Sequence, residues 1–123
     1  MGQWSVDVDE ERNRLYAELS GFFVEEEATE STEEFIEAAE RLETGFDMIQ
    51  DLAELQIGDP GAAEQLERGK RRLAENGLAT VVRIPPTATT SELQYEESGE
   101  DAENYEIRTA SSVTEAETIL DNQ

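Results

Sequence analysis

The chain has 123 residues, with 31 Asp and Glu against nine Lys and Arg, no histidine and no cysteine, and a formal net charge of −22 at pH 7. Disulfides, thiolate metal sites and cysteine nucleophiles are excluded, and so is the side chain best suited to proton transfer near neutral pH. A surface this acidic repels itself in dilute buffer and is largely screened at about 1 M salt, where the Debye length is roughly 3 Å.

The expected setting is therefore the salt-rich cytoplasm of a halophile, and direct binding to nucleic-acid phosphates or to an anionic membrane is not expected. No apolar run approaches the roughly 18 residues of a membrane span, and the N-terminus lacks the features of a signal peptide. The apolar residues gather in short periodic blocks, which indicates one folded domain over 1–123 rather than a disordered chain.

Trp4, Val6 and Val8 alternate with Ser5 and Asp7, the period of a half-buried strand. A polar turn over Asp9 to Asn13 leads to a second strand with Leu15, Ala17 and Leu19 on one face, stopping at Ser20-Gly21. Phe22, Phe23 and Val24 then roll the chain over the edge of the core; in extended chain only one of the two Phe can point inward. Ala28, Phe35, Ile36, Ala39 and Leu42 form the stripe of a first helix, opened by Ser31 and Glu34 or earlier, near Glu25. Gly45 ends it, with Arg41 in the last turn. Phe46, Met48 and Ile49 make a third strand ending at Asp51.

Asp59 is placed to cap a second helix whose first residue is Pro60. Ala62, Leu66, Gly69 and Leu73 form its buried stripe, and Asn76-Gly77 closes it in a left-handed turn. The apolar run from Leu78 to Ile84 suits a central strand covered on both faces. Pro85-Pro86 breaks it, and 85–104 reads as a weakly structured segment with a faint helical signal near Ser91 to Ser98. Tyr105 and Ile107 form a last strand, and Ser112 with Glu115 opens a terminal helix that turns Val113, Ala116, Ile119 and Leu120 inward. The order ββαβαβαβα implies an α/β fold with a mixed sheet of about five strands and helices mainly on one face.

Four stretches in this order resemble the STAS family, and more closely its SpoIIAA-like branch. They are the Trp4-to-Gly21 hairpin running into "LSGFF", "FDMIQDLAEL" with Asp51 at the strand end, "NGLATVVRI", and "YEIRTASSVTEAETIL". The resemblance implies a small non-enzymatic regulatory module that binds a protein partner beside the start of the second helix. Anti-anti-sigma members carry a phosphorylatable serine there, whereas this chain reads Asp59-Pro60-Gly61-Ala62-Ala63 and has no Ser or Thr between Thr44 and Thr80. The phosphoserine switch is not carried over.

The candidate contacts are Asp51, Asp59, Pro60, Gly61 and Ala62 around that helix start, Phe22 and Phe23 beside it, and Lys70 and Arg72 along the helix. Asp51 and Asp59 could act as a carboxylate pair at the carboxyl end of a strand, or serve only as strand end and cap. In the run Arg68, Lys70, Arg71, Arg72, the residues Glu64 and Glu67 precede Arg68 and Arg71 by four, so intrahelical pairing accounts for two of the cations. Lys70 and Arg72 are then the candidates for an acidic-partner patch. Two other roles fit the same sequence: a carrier of a small lipophilic ligand near Phe22, Phe23, Phe35 and Phe46, and an acidic mimic of nucleic acid. No cofactor or metal is expected, and a homodimer is an alternative to a foreign partner.

Overall fold

Alternating apolar and polar side chains build β1 (Gln3–Asp9), which pairs antiparallel with β2 (Arg14–Phe23), from Gln3 opposite Ser20 to Asp9 opposite Arg14. The structure, a computed structural model, describes residues 2–57, 60–86 and 105–122. After β2 come α1 (Glu25–Ala39), β3 (Asp47–Asp51), β4 (Leu55–Ile57), α2 (Pro60–Glu75), β5 (Thr80–Ile84), β6 (Glu106–Thr109) and α3 (Val113–Asp121). The sheet runs β1-β2-β3-β5-β6, antiparallel only between the first two strands, with β4 pairing the far end of β2. The α/β class and the mixed sheet are as the sequence indicates. Gly58, Asp59 and the proposed helix near Ser91 to Ser98 lie outside the described residues.

Several expectations require correction. β2 does not stop at Ser20-Gly21: Gly21, at φ +83°, keeps the strand going, and its N–H donates to the Glu54 carbonyl at 2.8 Å. That continuation supplies the edge on which Leu55, Gln56 and Ile57 form a sixth strand. α1 begins at Glu25, the earlier of the two starts the sequence allows, and ends at Ala39; Ser31 is no cap but is buried, and its hydroxyl donates to the Ala28 carbonyl. Arg41 lies past the helix, where i→i+3 bonds from Arg41 to Ala38 and from Leu42 to Ala39 tighten the exit. Two of the described helices, α1 and α2, lie on one face of the sheet, as the sequence indicates, and α3 lies on the other.

Period-2 alternation divides the interior into two cores. Met48 and Val81 face the layer formed by α1 and α2, with Leu15, Phe35, Phe46, Leu66 and Leu73. Their neighbours Ile49 and Val82 face α3, with Ala116 and Leu120. β5 is buried at all five positions, as its apolar run requires. The α1–α2 contact is close because Gly69 has no side chain; a Cβ there would lie 3.1 Å from Thr32 Cγ2. At the other end of α2, Gly77 takes φ +98° and closes the helix as Asn76-Gly77 indicates. α3 opens on Ser112, whose Oγ accepts the Glu115 N–H at 3.1 Å, while the Glu115 carboxylate accepts from the N–H and hydroxyl of Ser111.

Candidate functional site

The start of α2 is partly covered from within the molecule. Pro60 is exposed at the first helical position, but a Cβ on Gly61 would lie 2.7 Å from Glu25 Cδ and 2.8 Å from its Oε2. The Glu25 carboxylate thus rests against the first turn of α2, where the helix dipole favours negative charge. Ala62 is fully buried, so it cannot meet a partner directly. Asp51 is half-buried at the end of β3, and its Oδ1 accepts the Ala53 N–H at 3.2 Å, which gives it a turn-forming role. Asp59, the other member of the proposed carboxylate pair, lies outside the described residues.

Lys70 does not contribute to a surface patch. It sits four residues after Leu66 and three before Leu73, on the stripe that faces the sheet, and is 2% exposed. Arg72 is exposed and pairs with Glu75 at 3.4 Å. Arg71 pairs with Glu67 at 2.9 Å, as the spacing indicates, whereas Arg68 reaches across to Glu33 of α1 at 2.7 Å. A second buried cation was not legible: Arg83 is fully buried in β5, and its Nε donates to Gln50 Oε1 at 3.1 Å from the position opposite on β3.

The adjacent phenylalanines divide as extended chain demands. Phe23 is fully buried and its ring meets Trp4 with centroids 6.0 Å apart; Phe22 is 48% exposed. Phe35 and Phe46 lie deep in the core beneath α1 and α2, away from Phe22. Phe22 and Val24, two of the exposed large hydrophobics among the described residues, instead join Gly2 and Trp4 as the floor of a surface groove of about 520 Å³. Gly2 fits there because a Cβ would collide with the Phe23 ring at 2.7 Å.

Glu26, Glu27 and Glu30, from the first turns of α1, form the other wall. Glu27 is fixed by two main-chain donors, the N–H of Gly2 at 2.8 Å and that of Val24 at 3.3 Å. The Trp4 indole is held by Glu34 Oε2 at 2.9 Å. An apolar floor beside fixed carboxylates can take an apolar side chain whose neighbours carry positive charge. Sequence reasoning found Phe22 but missed Val24 and the glutamate wall. The available signal was the 3-4-3 spacing of Glu27, Glu30, Glu34 and Glu37, which is one face of a helix.

A second charged cluster ties α3 to the sheet. Arg14, 5% exposed, donates from Nη2 to Asp121 Oδ1 at 3.0 Å, and the Tyr16 hydroxyl donates to Glu117 Oε2 at 2.9 Å. Burial, aided by Glu117, raises the Tyr16 phenol above its ordinary value. Burial also raises Asp47, with Arg14 opposing and Glu106 adding to the effect. These contacts knit the fold, and Tyr16 also lines a small groove of about 80 Å³ with Asp51. Among the described residues no group of three His, Cys, Asp or Glu is placed to hold a metal ion, and no helix is long and apolar enough to cross a membrane. Comparison with protein-family models and with curated proteins gives no match to the chain.

Proposed function

We infer that this chain is a non-enzymatic interaction module of STAS-like, SpoIIAA-like type, and that it binds a protein partner through the groove at the start of α1. The order of strands and helices and the mixed sheet support the STAS-like reading. The observation that carries the binding role is the gathering of exposed Phe22 and Val24 with Trp4 beside Glu26, Glu27 and Glu30. Exposed apolar side chains collected in one place mark contact surfaces, whereas scattered ones do not. The partner that fits presents an apolar anchor flanked by Lys or Arg. This moves the docking face from the start of α2, where Glu25 lies against Gly61 and Ala62 is buried, to the start of α1.

The test uses the wild type and Phe22→Glu as baits in a high-salt lysate, with Pro60→Ala as a control outside the groove. Proteins held by the wild type and by P60A, and lost from F22E, are expected to share basic segments. Capture that ignores Phe22 overturns the reading.

The volume of the groove falls within the roughly 300–1,000 Å³ typical of ligand sites, which favours a second reading, a small lipophilic ligand on the same floor. Native mass spectrometry of the freshly purified protein separates the two: a bound small molecule lost on F22E supports the ligand, and an empty protein that retains its partner supports the module.

A further inference from the structure

β1 is the terminal strand of the sheet, so one of its edges has no neighbouring strand among the described residues. Residues of an antiparallel strand turn their main-chain N–H and C=O to alternate sides. Val8 donates its N–H to the Asp7 carboxylate at 3.0 Å, and Gly2 donates to Glu27 at 2.8 Å, so the even-numbered residues turn theirs outward. Side chains therefore cap the two ends of this edge, and Trp4 and Val6 lie between the caps with outward-facing main chain. Capped ends are a usual defence of an exposed edge; here the defence leaves the middle open.

The side chains of Trp4, Val6 and Val8 lie on the α1 face of the sheet. Trp4 floors the groove described above, and Val6 and Val8 continue it into a second one of about 310 Å³. Both are walled by one row on α1, Glu27 and Glu30 on the first groove and Glu34 and Glu37 on the second, where Arg41, past the helix, also lines the groove. The ten steps from Glu27 to Glu37 rise about 15 Å along a helix. The four steps from Trp4 to Val8 rise about 13 Å along a strand. The acidic row therefore runs the length of the open edge.

We propose that the β1 edge accepts an extended basic segment of a partner protein as an added strand, with Lys or Arg at alternate positions over the glutamate row. The proposal rests on the interaction reading above and specifies its partner. Main-chain bonds to Trp4 and Val6 set the register, and alternation carries every second side chain onto the α1 side, where the carboxylates stand. A second copy of this chain is a poor occupant, because it brings its own glutamate row and a net charge of −22 to the same edge.

The probe is a short labelled peptide alternating Lys and Val, compared by fluorescence anisotropy with a peptide of the same composition carrying its lysines in one block. The alternating peptide is expected to bind about tenfold more tightly, a difference of about 1.4 kcal/mol. Replacing Glu30 and Glu37 together by Gln is expected to remove most of that advantage. Backbone N-methylation of the alternating peptide in one register is expected to abolish binding, and in the other to leave it. Val6→Pro removes an edge donor that the fold does not use, as edge strands tolerate; should it unfold, the N-methylated peptides carry the same test in the unaltered protein.

Equal binding of the two peptides, indifference to N-methylation in both registers, or a dimer joined through β1 in sedimentation and cross-linking each overturns the proposal. Phe22-dependent capture that persists while the peptides fail removes the added strand and leaves the interaction module standing. Peptide binding that depends on Glu30, Glu37 and the peptide backbone, alongside capture that ignores Phe22, does the reverse.

Discussion

Asn13 holds Glu43 by both ends of its amide: Nδ2 donates to the Glu43 carbonyl at 3.2 Å, and Oδ1 accepts the Glu43 N–H at 2.8 Å. The same residue sits at φ +55°, and its own carbonyl accepts the Asp47 N–H at 3.1 Å. One side chain thus joins the turn of the first hairpin to the loop that leads into β3, and it does so from a backbone conformation that suits Asn better than most residues. Asn13→Ala loses both amide bonds and strains the turn, and is expected to destabilise by about 2–3 kcal/mol. Asn13→Gly loses only the bonds and is expected to cost about 1 kcal/mol less. Denaturant titration of the two variants checks the ordering.

Gly45 and Gly77 share a left-handed backbone but not a neighbourhood. Nothing lies within 4 Å of a Cβ built on Gly45, whereas one on Gly77 would stand 2.7 Å from Thr44 Cγ2 and 2.9 Å from Thr44 Cα. Gly45→Ala is therefore expected to cost about 1–2 kcal/mol, the backbone penalty alone. Gly77→Ala adds a clash with main chain that cannot rotate away, so its loss in thermal stability is expected to be the larger. Equal losses at the two sites would show that the loop around Thr44 yields.

Much of the fold was legible because its signals are local. Pro60 and Asn76-Gly77 bracket α2 by backbone preference alone, Ser112 caps α3, and alternation separates Phe22 from Phe23. What escaped depends on neighbours far along the chain. Leu55-Gln56-Ile57 is too short to announce a strand and becomes one only because β2 runs on past Gly21 to meet it. Lys70 reads as surface by type, yet its place between Leu66 and Leu73 on the helix stripe decides its burial. The groove was half legible: Phe22 was visible, but its companions come from β1 and α1, and only the fold brings Gly2, Trp4 and Glu30 to it.

Asp47 makes stability depend on acidity in an identifiable direction. Burial raises its folded pKa above 3.8, so its contribution favours folding below the unfolded value and is lost as the pH rises through the raised one. Asp47→Asn removes this term. The variant is expected to be more stable than the parent at neutral pH, by at most about 1 kcal/mol once solvent screening is allowed for. The gap should narrow as the pH falls toward 3.8. A variant less stable at neutral pH, with no such narrowing, would mean that attraction to Arg14 outweighs the burial.

The net charge of −22 predicts that salt stabilises the fold. Raising KCl from dilute buffer to about 1 M shortens the Debye length from tens of ångströms to roughly 3 Å, which removes most of the repulsion between exposed carboxylates. The midpoint of thermal unfolding is expected to climb across that range and then to level off. A flat response would mean that the short ion pairs within the fold, such as Arg68 with Glu33, already offset the surplus.

The bond between Arg14 and Asp121 spans 107 positions of sequence. A ribosome must add 107 more residues after Arg14 before its carboxylate partner exists. Until then α3 cannot cover Ile49, Val82 and Ile84. The hairpin and the α1–α2 layer can assemble during synthesis, but the opposite layer closes only after residue 121 has emerged. Contacts of such separation slow folding, so the two faces of the sheet are covered at different times, the α3 side after the α1–α2 side.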